Sequence, residues 1–176
     1  GEDNSSCRVV NRCGAWTASG TQRRAAPQDS VVHSNPSDAR GRLVYDGLDT
    51  MTIIGTGLDA TEIDRIGEAI ARYGERFVQR VFTGGEIAYC RSKRDFASSF
   101  AARFAAKEAA MKALGTGHSQ GVFWTGIEVV RRHGPPRLQF HGGAAKRFAA
   151  LGATGSLLTL THSKQLAIAH VLLLQD

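Results

Sequence analysis

The sequence predicts an α+β fold in which an antiparallel-rich sheet packs on one long central helix, with shorter helices beside it. Two observations support this fold class. Residues 95–114 are rich in strong helix formers and carry apolar side chains on two adjoining stripes, as expected of a helix that is buried on both sides. The predicted elements also follow the order strand, helices, then mostly strands, which is typical of α+β domains.

The central helix is predicted to begin after Asp95, a favourable N-cap residue, and to end before Gly115. Glu108 lies on the seam between a stripe of large apolar residues and a stripe of alanines, and Lys112 lies one turn further along the same face. A carboxylate among alanines is costly unless it is paired or binds a metal ion. The segment alone therefore leaves two interpretations open, an ordinary i,i+4 Glu–Lys ion pair and a metal-binding glutamate.

The first predicted strand covers residues 53–59, and its two glycines indicate a bulge or a close backbone approach. Thr61 is predicted to cap a helix that ends at Gly74, and Thr83 with Glu86 forms the pattern of a capping box. The remaining predictions are a hairpin or tight connection, a short helix and two strands, at residues 127–131 with 137–140, 144–151, 156–161 and 165–174.

Composition divides the chain into two parts. Residues 1–50 are polar, show no helical or strand periodicity and have no net charge, so they are interpreted as a disordered or loosely ordered extension. The whole net charge of +6 belongs to residues 51–176, which are expected to form the folded domain. A basic excess suits a polyanionic ligand, an acidic protein or nucleic acid, and does not choose among them.

Several features bear on the compartment and the partners. The three cysteines are too scattered for a disulfide framework, so a reducing compartment, the cytoplasm, is expected. No run of about 18 apolar residues and no secretory leader is recognised, so no membrane contact is expected. Nucleic acid is disfavoured because the basic residues are not interleaved with exposed aromatic residues.

Three positions suggest phosphate chemistry. Asp59 follows the first strand, where an aspartate is also compatible with a simple cap or turn role. Together, Asp59 and Glu108 supply the one or two carboxylates that Mg²⁺ usually takes from a protein, and Lys112 could neutralise a phosphoryl oxygen. The segment from Gly115 to Gly117 could offer backbone N–H groups to an anion. Mn²⁺ accepts the same oxygen ligands and is an alternative ion.

Blocks of residues in a fixed order resemble the holo-acyl-carrier-protein synthase family. The resemblance covers essentially residues 51–176, and its blocks are residues 55–59 with 62–66, 82–86 with 89–90, 103–109 with 112–115, Trp124, 127–129 and 161–162. It implies a magnesium-dependent transfer of 4′-phosphopantetheine from coenzyme A to a serine of an apo acyl carrier protein, which releases adenosine 3′,5′-bisphosphate. It further implies a role in fatty acid biosynthesis and a homotrimer with active sites between subunits.

The resemblance also assigns roles to individual residues. Asp59 and Glu108 would bind the metal ion, Glu108 would take the serine proton, and Lys112 would stabilise the diphosphate. Contacts to coenzyme A are implied for Arg103, Lys112, His162, Lys93, Arg94, Gly115 and Thr161, and Arg65 would face the acidic carrier protein. Ordinary roles remain open for four of these residues: a turn histidine at His162, an exposed basic loop at Lys93 and Arg94, and a solvated helix charge at Arg65.

Two other functions are considered. A basic binding module that docks a carrier protein or nucleic acid without chemistry would share the charge pattern. A magnesium-dependent nucleotide hydrolase would share the carboxylates, but the sequence has no Gly-rich Walker-type loop with a lysine.

Overall fold

The structure is a computed structural model that describes residues 51–131 and 134–176. The predicted extension over residues 1–50 lies outside the described residues. The elements follow in the order β1 (Thr52–Glu62), α1 (Ile63–Tyr73), α2 (Glu75–Val81), α3 (Gly84–Arg91), α4 (Phe96–Ala113), a 3-10 turn (Trp124–Gly126), β2 (Ile127–Val130), β3 (Arg137–Phe140), α5 (Gly142–Ala150), β4 (Gly155–His162) and β5 (Leu166–Gln175). Within this part of the chain, no helix is both long and apolar enough to cross a membrane.

The described residues form two antiparallel sheets. The larger has the order β1-β5-β4, with Gly57 opposite Val171 and Leu158 opposite the same valine on the other side. The smaller is the predicted hairpin of β2 and β3, in which Val129 pairs with Leu138. Alternate residues of β5, from Ala167 to Leu173, are buried, so one face of the larger sheet is covered. The α+β fold class predicted from the sequence is confirmed.

Helix α4 is the centre of the domain, as predicted. One of its first N–H groups is satisfied locally, because the Asp95 side chain accepts a hydrogen bond from the Ser98 N–H. The chain leaves the helix through Gly115, whose φ of 70° favours glycine. Alanines on one side of α4 pack against β1 and β5, and Phe100 on another side packs against α1, α2 and α3 residues in a second apolar cluster. The helix is therefore covered on both sides.

The strand β1 approaches α4 more closely than side chains would allow. A Cβ at Gly57 would lie 1.9 Å from the carbonyl oxygen of Ala109, and one at Gly55 would lie 2.6 Å from that of Ala113. This is the close backbone approach predicted from the two glycines. It fixes the height of β1 along α4, since residues 55 and 57 each face a separate helical turn.

The region between β1 and α3 differs from the prediction at two points. Thr61 does not cap a helix: β1 continues to Glu62, α1 begins at Ile63, and the Thr61 hydroxyl donates to Asp59 instead. The helix α2 was not predicted, because its seven residues are too few for a clear period. The end of α1 at Gly74 and the capping box of Thr83 are confirmed.

Candidate functional site

Asp59 and Lys112 meet between β1 and α4. Asp59 shares the α4-facing side of β1 with Gly57, since alternate strand residues point the same way. The Lys112 Nζ lies 2.9 Å from the Asp59 Oδ1 and also donates to the Leu58 carbonyl at 2.9 Å. The other carboxylate oxygen, Oδ2, accepts the Thr61 hydroxyl at 2.9 Å. The Asp59 side chain is mostly buried, whereas half of the Lys112 side chain is exposed.

Glu108 occupies the turn of α4 before Lys112, but the two side chains do not pair. The indole N–H of Trp124 donates to the Glu108 Oε1 at 2.5 Å. The i,i+4 ion pair considered from the sequence is therefore not formed, because Lys112 reaches across to β1 and Glu108 turns towards Trp124. Among residues 51–131 and 134–176, no protein group donates to the second oxygen of Glu108, Oε2.

The donor atoms of these residues are of the kind that a magnesium or manganese ion takes when it also binds a ligand. No cluster of three or more metal-ligating side chains exists among the described residues, so the protein does not build a complete cage there. Mg²⁺ commonly takes one or two carboxylates and completes its octahedron with water and substrate phosphate. Asp59 and Glu108 supply that number of carboxylates. In this part of the chain no protein group donates to the Glu108 Oε2, whereas both Asp59 oxygens are engaged, so an ion at Asp59 would displace the Lys112 ammonium group.

A buried ion pair lies on the other side of α4, and the sequence did not predict it. The Lys107 Nζ is 2.7 Å from the Glu86 Oε2, and both side chains are fully buried. Lys107 also donates to the carbonyls of Trp124 and Ile127. Burial lowers the pKa of Lys107, while the neighbouring Glu86 carboxylate raises it. The available signal was Lys107 itself, a lysine one turn after Arg103 in a run of buried alanines.

Arg103 and Lys93, two predicted phosphate contacts, both lie at the ring of Tyr89. The guanidinium carbon of Arg103 is 4.0 Å from the ring centroid, and the Lys93 Nζ is 4.4 Å from it. Arg103 is buried, and its Nε has no hydrogen-bond partner among the described residues. It borders a cavity of about 310 Å³ that is also lined by Glu128 and Arg131.

The remaining predicted residues are not gathered at Asp59. Arg65 on α1 and Arg94 before α4 are exposed. Thr161 and His162 end β4, which is separated from β1 by β5, so they are not brought to Asp59 within this chain. The prediction that the N–H groups of residues 115–117 could face an anion is wrong for two of these three residues. The N–H groups of Gly115 and Thr116 already donate to carbonyls of α4, which leaves them unavailable to an anion.

Sequence comparisons with known proteins all identify 4'-phosphopantetheinyl transferases as similar. The family model of the 4'-phosphopantetheinyl transferase superfamily matches residues 55–169. The chain is 49% identical over 122 residues to a holo-[acyl-carrier-protein] synthase of Solibacter usitatus, covering 69% of this chain and 98% of the relative. It is 50% identical over 126 residues to a protein of the same name from a Methylobacterium species, covering 69% of this chain and 93% of the relative.

Solved structures agree. The crystal structure of holo-[acyl-carrier-protein] synthase from Neisseria meningitidis superposes with a TM-score of 0.65 at 27% identity, covering 69% of this chain and 98% of the other. The synthase from Helicobacter pylori in complex with coenzyme A gives a TM-score of 0.60 at 26% identity, with coverage of 67% and 98%. That from Bacillus anthracis in complex with coenzyme A (3',5'-ADP) gives 0.59 at 31% identity, with coverage of 72% and 100%.

Proposed function

This chain belongs to the 4'-phosphopantetheinyl transferase superfamily, and on that basis we propose that it acts as a holo-[acyl-carrier-protein] synthase. It transfers 4′-phosphopantetheine from coenzyme A to a serine of an apo acyl carrier protein and releases adenosine 3′,5′-bisphosphate. The observation that carries the proposal is the pairing of Asp59 with Lys112 beside the helical turn that holds Glu108. A metal-bound diphosphate would call for two carboxylates and a cation, and Asp59, Glu108 and Lys112 are proposed to supply them.

Asp59 and Glu108 would hold a magnesium ion, or manganese in its place. When bound, the ion neutralises charge on the diphosphate and polarises the bond to phosphorus. Glu108 removes the proton from the serine hydroxyl of the carrier protein, directly or through a water molecule. Lys112 has a flexible, half-exposed side chain, so it can exchange its contact with Asp59 for a phosphoryl oxygen.

The nucleotide half of coenzyme A is assigned to the surface around Tyr89. Two cations, Arg103 and Lys93, lie at this ring, and the Arg103 Nε, which has no partner within residues 51–131 and 134–176, is a donor that a phosphate can satisfy. The adjoining cavity offers room for part of the nucleotide. Further contacts to coenzyme A are proposed for Arg94, Gly115, Thr161 and His162. Because the N–H of Gly115 is engaged, a contact there would not use that group.

The carrier protein is proposed to dock on α1 through Arg65. Arg65 is exposed, and residues 51–176 carry the whole positive surplus of the chain, which favours an acidic partner. We assign residues 51–176 to the transferase domain, with residues 1–50 as an extension. The family assignment also supports a role in fatty acid biosynthesis and a cytoplasmic location.

A homotrimer with sites between subunits is proposed as the active form. The face of the larger sheet that points away from α4 carries exposed or half-exposed apolar side chains, including Leu58, Leu157, Ile168 and Leu172. Covering this face with another subunit would bury apolar area. It would also let a β4 edge with Thr161 and His162 complete the site of a neighbour, which explains why these residues are distant from Asp59 within one chain.

The test is to incubate the protein with coenzyme A, Mg²⁺ and an apo acyl carrier protein, and to measure the mass of the carrier. A gain of one 4′-phosphopantetheine group is expected. Glu108→Gln should reduce the rate by about 10²–10⁴-fold while the circular dichroism spectrum is unchanged. Carrier binding without any mass gain, for carriers of both fatty acid and polyketide pathways, would instead indicate a binding module.

A further inference from the structure

We propose that Trp124 is a positioning residue that holds the Glu108 carboxylate in its working orientation. The inference rests on the proposed function, because it concerns the glutamate assigned there as metal ligand and base. Its basis is the hydrogen bond from the indole N–H of Trp124 to the Glu108 Oε1. Trp124 contacts one oxygen of the carboxylate and leaves the other, Oε2, to a ligand.

The backbone of Trp124 is fixed by the residue next to Glu108. The ammonium group of Lys107 donates to the Trp124 carbonyl at 2.8 Å and to the Ile127 carbonyl, so α4 holds both ends of the 3-10 turn. Lys107 is itself immobilised by its buried ion pair with Glu86. Glu86 in turn accepts the N–H groups of Thr83 and Val129, which ties the turn to α3 and β2.

The indole ring is also held by aromatic neighbours. The His118 ring lies 4.1 Å from the Trp124 ring, centroid to centroid, and the Phe104 ring lies 6.2 Å from it. Trp124 is half-buried, so its N–H is directed by packing as well as by the hydrogen bond. Trp124 is therefore tied to two adjacent residues of α4: its carbonyl accepts from Lys107, and its indole N–H donates to Glu108.

The consequence concerns the freedom of the Glu108 side chain. A glutamate on a helix surface samples several rotamers, and binding a ligand in one of them costs side-chain conformational entropy. The indole N–H selects the rotamer in advance, in the way that outer hydrogen-bond partners orient metal ligands in other proteins. Loss of such a partner typically weakens metal binding or activity by about 10- to 100-fold.

The test replaces the N–H without removing the ring. Trp124 is substituted by benzothienylalanine, which has sulfur in place of the N–H, and in a second variant by phenylalanine. Mn²⁺ binding is measured calorimetrically with coenzyme A present, together with the transfer rate. We expect Mn²⁺ binding about 10-fold weaker and transfer at least about 10-fold slower, with an unchanged KM for the carrier protein and an unchanged melting temperature.

Two comparisons separate positioning from packing. His118→Ala removes a neighbour of the ring but keeps the N–H, and it should bind Mn²⁺ within about 2-fold of the wild type. In a Glu108→Gln background, replacing Trp124 should weaken Mn²⁺ binding and slow transfer no further, because the two residues act as a unit. Losses that simply add in the double variant, equal losses in His118→Ala, or unchanged Mn²⁺ binding in both Trp124 variants would each overturn the inference.

Failure of the proposed function would look different. In that case neither the wild-type protein nor the Trp124 variants would transfer 4′-phosphopantetheine to the carrier protein. Mn²⁺ binding by the wild type and by the Trp124 variants is measured without the carrier, so the positioning role is decided independently of transfer.

Discussion

Gly57 of β1 lies directly against the backbone of Ala109 in α4, so close that a Cβ on Gly57 would be 1.9 Å from the Ala109 carbonyl oxygen. Because backbone meets backbone here, no side chain can move aside to relieve a larger residue. The contact also fixes where β1 stands along α4, and Asp59, two residues later on the same face, meets Lys112 as a result.

Gly57→Ala is therefore expected to lower the free energy of unfolding by about 3 kcal/mol or more, since the added methyl group overpacks a rigid contact. Urea unfolding followed by circular dichroism measures the change. Gly67→Ala is the matched control, because Gly67 lies inside α1 and its added Cβ would meet only Ala97 at 3.9 Å. That variant should be about 1 kcal/mol more stable than the wild type. Equal effects at both glycines would contradict the prediction.

Lys107→Met should destabilise the protein by about 3–5 kcal/mol, because it leaves the Glu86 carboxylate buried without its cation. Lys112→Met serves as the control. Lys112 is half exposed, and loss of its pair with Asp59 should cost no more than about 1 kcal/mol.

A double variant tests whether the buried charge is the cause. Glu86→Gln combined with Lys107→Met removes both charges, so it should be no less stable than Lys107→Met alone. If the losses of unfolding free energy in Glu86→Gln and Lys107→Met simply add in the double variant, Glu86 acts through its hydrogen bonds to Thr83 and Val129 rather than through its charge.

The raised pKa of the buried Cys90 thiol predicts that the protein loses stability at alkaline pH. Burial raises the pKa of Cys90 from 9.0 to about 11, and the nearby Arg103 guanidinium opposes this rise. Above about pH 9 the unfolded chain releases the thiol proton while the folded chain keeps it, so the unfolded state binds fewer protons and stability falls as pH rises towards 11. At the upper end the loss approaches about 2–3 kcal/mol.

The comparison with Cys90→Ala isolates this effect, because the variant removes the thiol and keeps Lys107, whose pKa burial lowers. The unfolding free energy of the wild type minus that of Cys90→Ala should decrease between about pH 8 and about pH 10.5. A constant difference over that range would mean that the thiol titrates alike in the folded and unfolded chains.

Leu157→Glu should dissociate the proposed trimer, because it places a charge on the apolar outer face of the larger sheet, where Leu157 is 56% exposed. Sedimentation velocity measures the assembly, and transfer activity should fall in parallel if neighbouring subunits share a site. Tyr73→Glu is the control, since Tyr73 is exposed to a similar degree, 54%, but lies at the end of α1. A wild type that is active as a monomer would exclude the trimer.

Local features of the sequence were sufficient for most elements. The helix formers and Asp95 predicted α4, the glycines of β1 predicted the backbone contact, and Thr83 predicted its capping box. The predictions that failed also have local reasons. Helix α2 is too short to show a period, and Thr61 does not cap α1 because β1 continues through it to Glu62.

By itself, the sequence determined which chemical groups are present, the central helix that carries Glu108 and Lys112, and the family. The tertiary structure alone decided which groups pair. Lys112 pairs with Asp59, 53 positions away, and Glu108 with Trp124, 16 positions away, whereas the helical spacing in the sequence suggested an ion pair between Glu108 and Lys112. Helix formation follows from nearest neighbours along the chain, but the choice of a polar partner depends on which distant segments exclude water from the same place.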